Sequence, residues 1–388
     1  MIRVAIVGTG NISRAHIAGY LNFPDLCRIV ALVDIVPEKA AEKAAQFGLD
    51  CEIYDDHHKI LDHKDIDLVD ICTPPYVHAE IAINALNSGK NVLVEKPMAA
   101  SLQECDRMLS AAAKSGKLLS SIAQNRFRTP IANLKKVLDA GLAGPVRHAQ
   151  VDSYWWRGHC YYDLWWRGLW SKESGGCTLN HAVHHIDMLG WMMGLPKEVT
   201  AILTNVAHDN AEVEDLSVAI LRYESALAQV TSSVVHHGEV QQLIFQCEKA
   251  RISAPWETYA SVSKTNGFPV RNETLEEELT AYYNQLPPVV HEGHTGQIEN
   301  VLTALEKGIA PGITGEDGRR TIELITAIYK SGARRATIAL PILKDDPFYT
   351  VEGMIKNMPH FYEKSASLSG LGDENITVGS DYRQKAQP

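Results

Sequence analysis

Residues 72–97 read CTPPYVHAEIAINALNSGKNVLVEKP, and the way glycine, proline and apolar residues fall along them organises the rest of the chain. The residues leading in, Asp67-Leu68-Val69-Asp70-Ile71-Cys72, form an apolar run too short for a helix and stopped by Thr73-Pro74-Pro75. They predict a buried strand. Tyr76 to Ser88 places Val77, Ile81 and Leu86 at helical spacing, and Gly89 closes the pattern. Asn91 to Val94 predicts the next buried strand. Glu95-Lys96-Pro97 therefore falls just past the carboxyl end of a strand, where open α/β sheets place ligands. On spacing alone, Lys96 is either a lysine facing a crevice or a solvated strand-end lysine.

The start of the chain says what the crevice would hold. Ile2 to Val7 is a strand, and Gly8-Thr9-Gly10-Asn11-Ile12-Ser13 follows at once, before a helical run through Ala15, Ile17, Tyr20 and Leu21. Strand, glycine turn and helix in that order make a dinucleotide fingerprint. Gly8 permits the tight turn, and Gly10 lets backbone approach a pyrophosphate. The helix N-terminus supplies N–H donors and a partial positive charge. Ser13 stands in place of the third glycine. Strand Ile29 to Val33 ends at Asp34, 24 residues beyond Gly10, where a carboxylate accepts hydrogen bonds from ribose hydroxyls. Ile35 follows it, rather than an Arg or Ser to meet a 2′-phosphate, which favours NAD over NADP. Thr73, Pro74 and His78 in the next turn, and Glu95 at the nicotinamide end, are further cofactor candidates. The bland reading of Pro74-Pro75 is a stiff turn.

Helices over Pro37 to Phe47, Asp56 to Asp62 and Ser101 to Ser115, with a capping box from Ser101 to Glu104, and a last strand over Leu118 to Ala123 complete the pattern. The fold class is α/β: residues 1–123 predict a Rossmann doubly wound parallel sheet. Gln124 to Arg128 is a crossover, and Pro130 to Ala140 a helix. Strands then follow at 146–153, 199–205, 215–223, 226–235, 240–248 and 250–253, with helices near 297–307 and 318–331. Residues 124–340 thus predict a C-terminal α+β domain with a large, mostly antiparallel sheet. Residues 341–388 form a polar C-terminal extension, Ser/Gly-rich near 365–380 and expected to be partly disordered or held by a partner.

The 388 residues suit two domains, and a net charge of -10 argues against a nucleic-acid partner. Apolar runs are only strand-length, so no membrane helix is expected, and Met1 leads straight into a strand without a signal peptide. The seven cysteines are scattered, odd in number and without a CxxC pair, as expected of reduced thiols in a cytoplasmic protein.

Four segments together carry a resemblance: Gly8-Thr9-Gly10-Asn11-Ile12, Cys72-Thr73-Pro74-Pro75 with His78, Glu95-Lys96-Pro97, and Gly175-Gly176 through His184 to Asp187. Over roughly residues 1–340 the chain resembles the glucose-fructose oxidoreductase, inositol dehydrogenase and rhizopine-catabolism (Gfo/Idh/MocA) family. The resemblance implies a Rossmann domain binding NAD, and an open-faced sheet that binds substrate and mediates homodimers or homotetramers. It also implies a catalytic Lys96, with Gly175, Gly176, Asn180, His184 and Asp187 at the later motif. Asn180 stands where many members have Asp; it hydrogen-bonds but cannot take up a proton. Some branches, including sugar-nucleotide 3-dehydrogenases, share this Asn. Lys96 and His184 are left as the catalytic pair.

The implied reaction moves a hydride between a secondary ring hydroxyl of a cyclitol, sugar or glycoside and the nicotinamide, while a base takes the hydroxyl proton. Lysine at its reference pKa of about 10.4 is a poor base, and burial beside the positive nicotinamide ring would lower it. Alternatives are a UDP-sugar 3-dehydrogenase, a glycoside-acting enzyme with tightly bound, recycled NAD, and a non-catalytic NAD-binding regulator. His181 and His185, four apart on a helix, raise a zinc reading, but the glutamate of H-E-x-x-H is missing, so no metal is expected. Tyr154 to Trp170, YWWRGHCYYDLWWRGLW, holds five of the seven tryptophans and repeats Trp-Trp-Arg-Gly. It reads as a long loop, either sugar-binding or at a subunit interface. Arg157, Tyr162, Arg167 and Trp170, with Arg126 and Asn180, are the substrate candidates. His291 and His294 could reach the site, though surface histidines are the plainer account.

Overall fold

The computed structural model describes residues 1–368 and 370, and its chain divides into two units. The first comprises residues 1–128, 289–322 and 349–351. Six strands, β1 (Ile2–Val7), β2 (Cys27–Val33), β3 (Glu52–Tyr54), β4 (Leu68–Ile71), β5 (Asn91–Val94) and β6 (Leu119–Ser121), lie in the order β3-β2-β1-β4-β5-β6. Every pairing is parallel, in register such as Val7↔Val33 and Val7↔Ile71. The strand order reverses between β1 and β4, the place where doubly wound sheets open a crevice.

Val4, Ile6, Leu32, Leu68 and Leu93 form the core from the sheet. The helix Ser13–Leu21 adds Ile17 and Tyr20, and the distant helix Gly293–Lys307 adds Ile298, Val301 and Leu302. Gly19 has no side chain because a Cβ there would stand 2.6 Å from Ile298. Gln297 locks this late helix to the sheet edge, accepting from the Ala123 N–H at 2.9 Å and donating to the Ser121 carbonyl at 2.8 Å. The helix at 297–307, expected among the residues of the second domain, thus packs in the first unit and begins at Gly293.

Several boundaries differ from the expectation. β3 is a strand the pattern misses, because three residues are too few to show a period. Asp56 to Asp62 contains a 3₁₀ turn, His57–Ile60, with Asp56 accepting from the His58 N–H. The helix expected from Tyr76 starts at His78, behind a 3₁₀ turn over Pro75–Val77. The capping box at Ser101 is present: its Oγ accepts from the Glu104 N–H at 3.3 Å, and Glu104 reaches back to the Ala100 N–H at 2.9 Å.

The second unit comprises residues 129–288, 323–348 and 352–388. Its sheet has nine strands: β7 (Val146–Tyr154), β8 (Glu198–Thr204), β9 (Leu216–Arg222), β10 (Leu227–Ser233), β11 (Gln241–Cys247), β12 (Ala250–Ala254), β13 (Thr258–Ser263), β14 (Pro269–Arg271) and β15 (Ile338–Ala339). Their order is β14-β13-β12-β11-β7-β10-β9-β8-β15, and only β7 and β10 run parallel. β13 and β14 escape the sequence pattern because nearly all their residues are exposed. The helix Glu273–Gln285 escapes it as well, its glutamate-rich face offering little apolar period. One sheet face buries Val199, Ala219, Leu221 and Val230; the other leaves Ile202, Val218, Ile220 and Leu227 exposed. Most of the Ser/Gly-rich stretch expected to be disordered lies outside the described residues.

Candidate functional site

In the first unit, the turn after β1 has two glycines with opposite surroundings. Gly8 has φ +94°, and a Cβ there would lie 2.8 Å from the Cys72 carbonyl group, so only glycine lets β1 end against β4. A Cβ at Gly10 would meet nothing within 4 Å. Ser13, at the third glycine's place, donates from Oγ to the Gly10 carbonyl at 2.7 Å and so ties the turn to the helix. Asn11 is exposed and Ile12 precedes the helix Ser13–Leu21 as its N-cap residue. Asp34 is fixed at the end of β2: Thr9 donates its N–H and hydroxyl to Oδ2, both at 2.8 Å, and the Val36 N–H donates to Oδ1 at 3.0 Å. An ionised carboxylate offers about four acceptor sites, so about one is left for a ribose hydroxyl. Ile35 is 89% exposed and carries no charge for a 2′-phosphate. An open backbone at Gly10, a helix start and an anchored acid fit an NAD molecule.

His78, fully buried, spans the Thr73 carbonyl (Nε2, 2.7 Å) and the Pro97 carbonyl (Nδ1, 2.9 Å). Burial pushes its pKa down. It is a strut between the Thr73-Pro74 turn and the loop that carries Lys96. Lys96 is half-buried just past β5. Its backbone N–H donates to Glu95 Oε2 at 3.0 Å. Glu95 Oε1 lies 2.9 Å from His16 Nε2 and 3.1 Å from His294 Nε2, and His16 Nδ1 lies 2.7 Å from Asp70 Oδ2. Burial works against charge on both His16 and Glu95. Asp70 nonetheless holds His16 well above the ordinary imidazole value, and the two histidines hold Glu95 well below the carboxylate range. The His16, Glu95 and His294 ligand atoms lie close enough together to hold a metal ion. Their spacings are also ordinary hydrogen-bond lengths. Arg126 is buried in an ion pair with Asp317 at 3.2 Å.

In the second unit, the turn Gly175-Gly176 is packed solid. A Cβ on Gly176 would stand 1.9 Å from the Glu214 carbonyl oxygen, and one on Gly175 2.3 Å from Tyr329 Oη. The Glu214 side chain, fully buried, accepts from the Gly176 N–H (3.2 Å), the Thr178 N–H (3.0 Å) and the Tyr329 hydroxyl (3.0 Å). Burial raises its pKa to about 7 against those donors. Asn180 turns its amide inward, donating to the Gly175 carbonyl at 2.7 Å. His184, half-buried, lies in the first turn of the helix Val183–Met193, and Asp187, one turn on, is buried. His181 and His185 are buried, and neither belongs to a three-ligand group among the described residues.

Tyr154 to Trp170 is more ordered than a loop. It holds a 3₁₀ helix, His159–Asp163, and ends in the short helix Trp170–Glu173. Trp170 is buried edge-on to Tyr329 and donates its indole N–H to the Pro359 carbonyl at 3.1 Å. Tyr162 is buried edge-on to His208. Arg157 pairs with Glu239 at 2.6 Å, and Arg167 pairs with Glu173 at 2.9 Å while stacking over Tyr161 and Trp166. Trp156 and Trp165 are the exposed aromatic faces, each 44% exposed.

Residues 2–122 match the model of an oxidoreductase family with an NAD-binding Rossmann fold, and residues 131–253 match the GFO/IDH/MocA C-terminal domain. The chain is a Gfo/Idh/MocA oxidoreductase. It is similar to 2,7-anhydro-N-acetylneuraminate hydratase of Mediterraneibacter gnavus, 30% identical over 57% of this chain and 61% of that one. It is also similar to myo-inositol 2-dehydrogenase of Thermotoga maritima, 24% identical over 87% of this chain and 98% of that one. Among solved structures, the WlbA dehydrogenase of Bordetella pertussis, in complex with NADH and UDP-GlcNAcA, superposes with a TM-score of 0.75. It is 27% identical over 88% of this chain and 98% of that one.

As a Gfo/Idh/MocA chain, its first unit brings Gly8, Gly10, Asp34, Thr73, His78, Glu95 and Lys96 to the carboxyl edge of one sheet. In the second unit Asn180 is bonded to the packed glycine turn, and His184 lies in the first turn of the helix that follows. The sequence reading missed His16 and Asp70. The signal was available: a histidine on the apolar stripe of the first helix, with Ile17 and Tyr20, and an aspartate inside an apolar strand.

Proposed function

We propose that the chain is an NAD-dependent dehydrogenase acting on a secondary ring hydroxyl of a cyclitol, sugar or glycoside. The observation that carries this reading is the open Gly10 backbone beside an anchored Asp34, on the same sheet edge as Lys96. Residues 1–123 hold the dinucleotide, residues 124–340 the substrate and the oligomer contacts, and residues 341–388 form an extension. Gly8, Gly10, Asn11 and Ile12 line the pyrophosphate turn, Asp34 takes the ribose, and Thr73, Pro74 and Glu95 border the nicotinamide. Bound there, the nicotinamide accepts or returns the hydride. The Lys96 amine takes the hydroxyl proton, and His184 hydrogen-bonds the hydroxyl oxygen. Asn180 has its amide N–H committed to backbone, so its role is to hold the turn and present its carbonyl oxygen. The exposed Trp156 and Trp165 offer stacking faces for a sugar, and Arg157 and Arg167 offer N–H donors beyond those used in their own ion pairs; Arg126 is buried in its ion pair, and Tyr162 and Trp170 support the loop from the core.

A UDP-sugar 3-dehydrogenase is the second reading, favoured by Asn180 and by the likeness to the UDP-GlcNAcA-bound dehydrogenase. Tightly held, recycled NAD is the third, favoured by the likeness to a hydratase, whose reaction involves no net redox change. The exposed apolar sheet face of Ile202, Val218 and Ile220 supports a homodimer or homotetramer. Seven free cysteines support a cytoplasmic setting, and no helix of the described residues is long and apolar enough to cross a membrane.

A panel of inositols, free sugars, glycosides and UDP-sugars, each with NAD and with NADP, separates these readings by absorbance of the reduced cofactor. Turnover of an inositol or sugar with NAD is the expected result. Turnover of UDP-sugars alone selects the second reading, and cofactor retained through purification selects the third. No substrate-dependent signal with any of them leaves a non-catalytic NAD-binding protein.

A further inference from the structure

Beneath the Lys96 loop, the first unit gathers four ionisable groups, three of them buried, that the proposed proton transfer does not use. Asp70 sits in β4, His16 on the first helix, Glu95 after β5, and His294 on the helix Gly293–Lys307. Asp70 and His16 have no exposed surface, and Glu95 has 4%. Cores rarely gain stability by burying charge in place of apolar residues, so such a chain calls for another reason.

We infer that His16 is held as an imidazolium between Asp70 and Glu95, and that the Asp70–His16–Glu95–His294 chain fixes the backbone and electrostatic setting of Lys96. His16 is then a positioning residue. The inference rests on Lys96 being the base. The donor count supports the imidazolium. Glu95 meets three groups at hydrogen-bond distance: the Lys96 N–H at 3.0 Å, His16 Nε2 at 2.9 Å and His294 Nε2 at 3.1 Å. Each short N···O contact needs one hydrogen between its atoms, and an imidazole nitrogen holds that hydrogen in preference to a carboxylate. His16 Nε2 must therefore carry hydrogen. Its Nδ1 meets Asp70 Oδ2 at 2.7 Å, a contact that needs a hydrogen on the same ground, while Asp70 Oδ1 accepts from the Cys72 thiol at 3.9 Å. Both ring nitrogens then donate, which only the cation does.

The groups facing His16 agree. Asp70 and Cys72 come from the end of β4, Glu95 from the end of β5, Tyr20 from its own helix, and the His294 ring lies 5.0 Å away. Burial and Asp70 push the Cys72 thiol up to about 12, and burial pushes the Tyr20 hydroxyl up, so both stay neutral. The chain then ends on the Lys96 N–H itself. Removing the imidazolium leaves the Glu95 carboxylate uncompensated one residue from the Lys96 amine. That favours the protonated amine and loosens the loop.

The test uses the full-length protein with ¹³C-labelled histidine. The His16 signal is the one lost in His16→Gln. It is expected to keep imidazolium shifts from pH 6 to about 9, above the reference imidazole pKa of about 6.5. In Asp70→Asn, which keeps the shape, the signal is expected to titrate within that range. A His16 signal that is neutral in the wild type, or titrates near the ordinary value, overturns the inference; this readout needs neither cofactor nor turnover, and stands even if His16→Gln fails to fold, since Asp70→Asn also identifies the signal.

Kinetically, Asp70→Asn is expected to lower kcat by up to about 100-fold. It should also move the acidic limb of the kcat/KM profile up by about one pH unit, with NAD affinity little changed. A loss confined to thermal stability or NAD affinity, with the limb unmoved, assigns the chain a purely structural role and overturns the inference. If Lys96→Ala keeps wild-type hydride transfer, it is the reading of Lys96 that fails, and the histidine shifts still report the charge state on their own.

Discussion

Gly10 of the first unit and Gly176 of the second both stand in glycine turns beside candidate site residues, and their surroundings are opposite. Nothing lies within 4 Å of a Cβ added at Gly10, whereas one added at Gly176 would sit 1.9 Å from the Glu214 carbonyl oxygen. The first glycine keeps backbone bare for something from outside the chain. The second is required by the chain itself. The side chains around the two turns follow the same division. Asp34 and Glu214 each accept three hydrogen bonds, but Asp34 is half-buried at the end of β2 and Glu214 is fully buried. Short motifs that look alike in sequence thus leave open space in one unit, where the proposed function seats a ligand, and fill it in the other.

That contrast breaks first at Gly176. Gly176→Ala is expected to destabilise the protein by about 3 kcal/mol or to prevent folding, because backbone cannot yield as a flexible side chain does. A melting temperature unchanged from the wild type would contradict the packing described.

Glu214 sharpens the contrast through pH. Its folded-state pKa, near 7, lies above the ordinary 4.5, so the folded state binds its proton more tightly than the unfolded chain. The contribution is full below about 4.5 and is lost as pH rises through about 7, on the order of 3 kcal/mol in all. Thermal melts of the wild type and Glu214→Gln at pH 5 and pH 8 should therefore show the wild type losing stability relative to the variant as pH rises. Parallel curves would show that Glu214 does not titrate in this window.

Gly10→Ala carries the smallest expected effect, and it falls on the other side of the comparison. Melting should be unaltered, while NAD affinity by calorimetry drops about tenfold, about 1.4 kcal/mol, as the methyl group holds the pyrophosphate off the backbone. A stability loss with unchanged affinity would reverse the roles of the two glycines.

These contrasts also explain what the sequence could and could not disclose. Strand-length apolar runs ending at Gly8, Asp34, Thr73 and Lys96 place those residues on one sheet edge, because a parallel sheet repeats the same local geometry after each strand. His16 and Asp70 stood out but could not be interpreted, for the converse reason. Each is a single polar residue in an apolar element, and their meaning lies in a pairing across 54 residues. The aromatic stretch failed similarly. Its composition offered seven aromatic faces between Tyr154 and Trp166 without saying which look outward. Trp170 is turned inward by Tyr329 and by Pro359, 189 residues on. β13 and β14 lacked a period because Ala260 alone among their residues is buried.

Proton abstraction by Lys96 is the claim on which the proposed chemistry turns, and one variant addresses it directly. Lys96→Ala, mixed with NAD and with whichever substrate the wild type oxidises, should bind NAD with near wild-type affinity. In a single turnover it should form reduced cofactor at least about 100-fold more slowly. Reduced cofactor appearing at the wild-type rate would contradict the account.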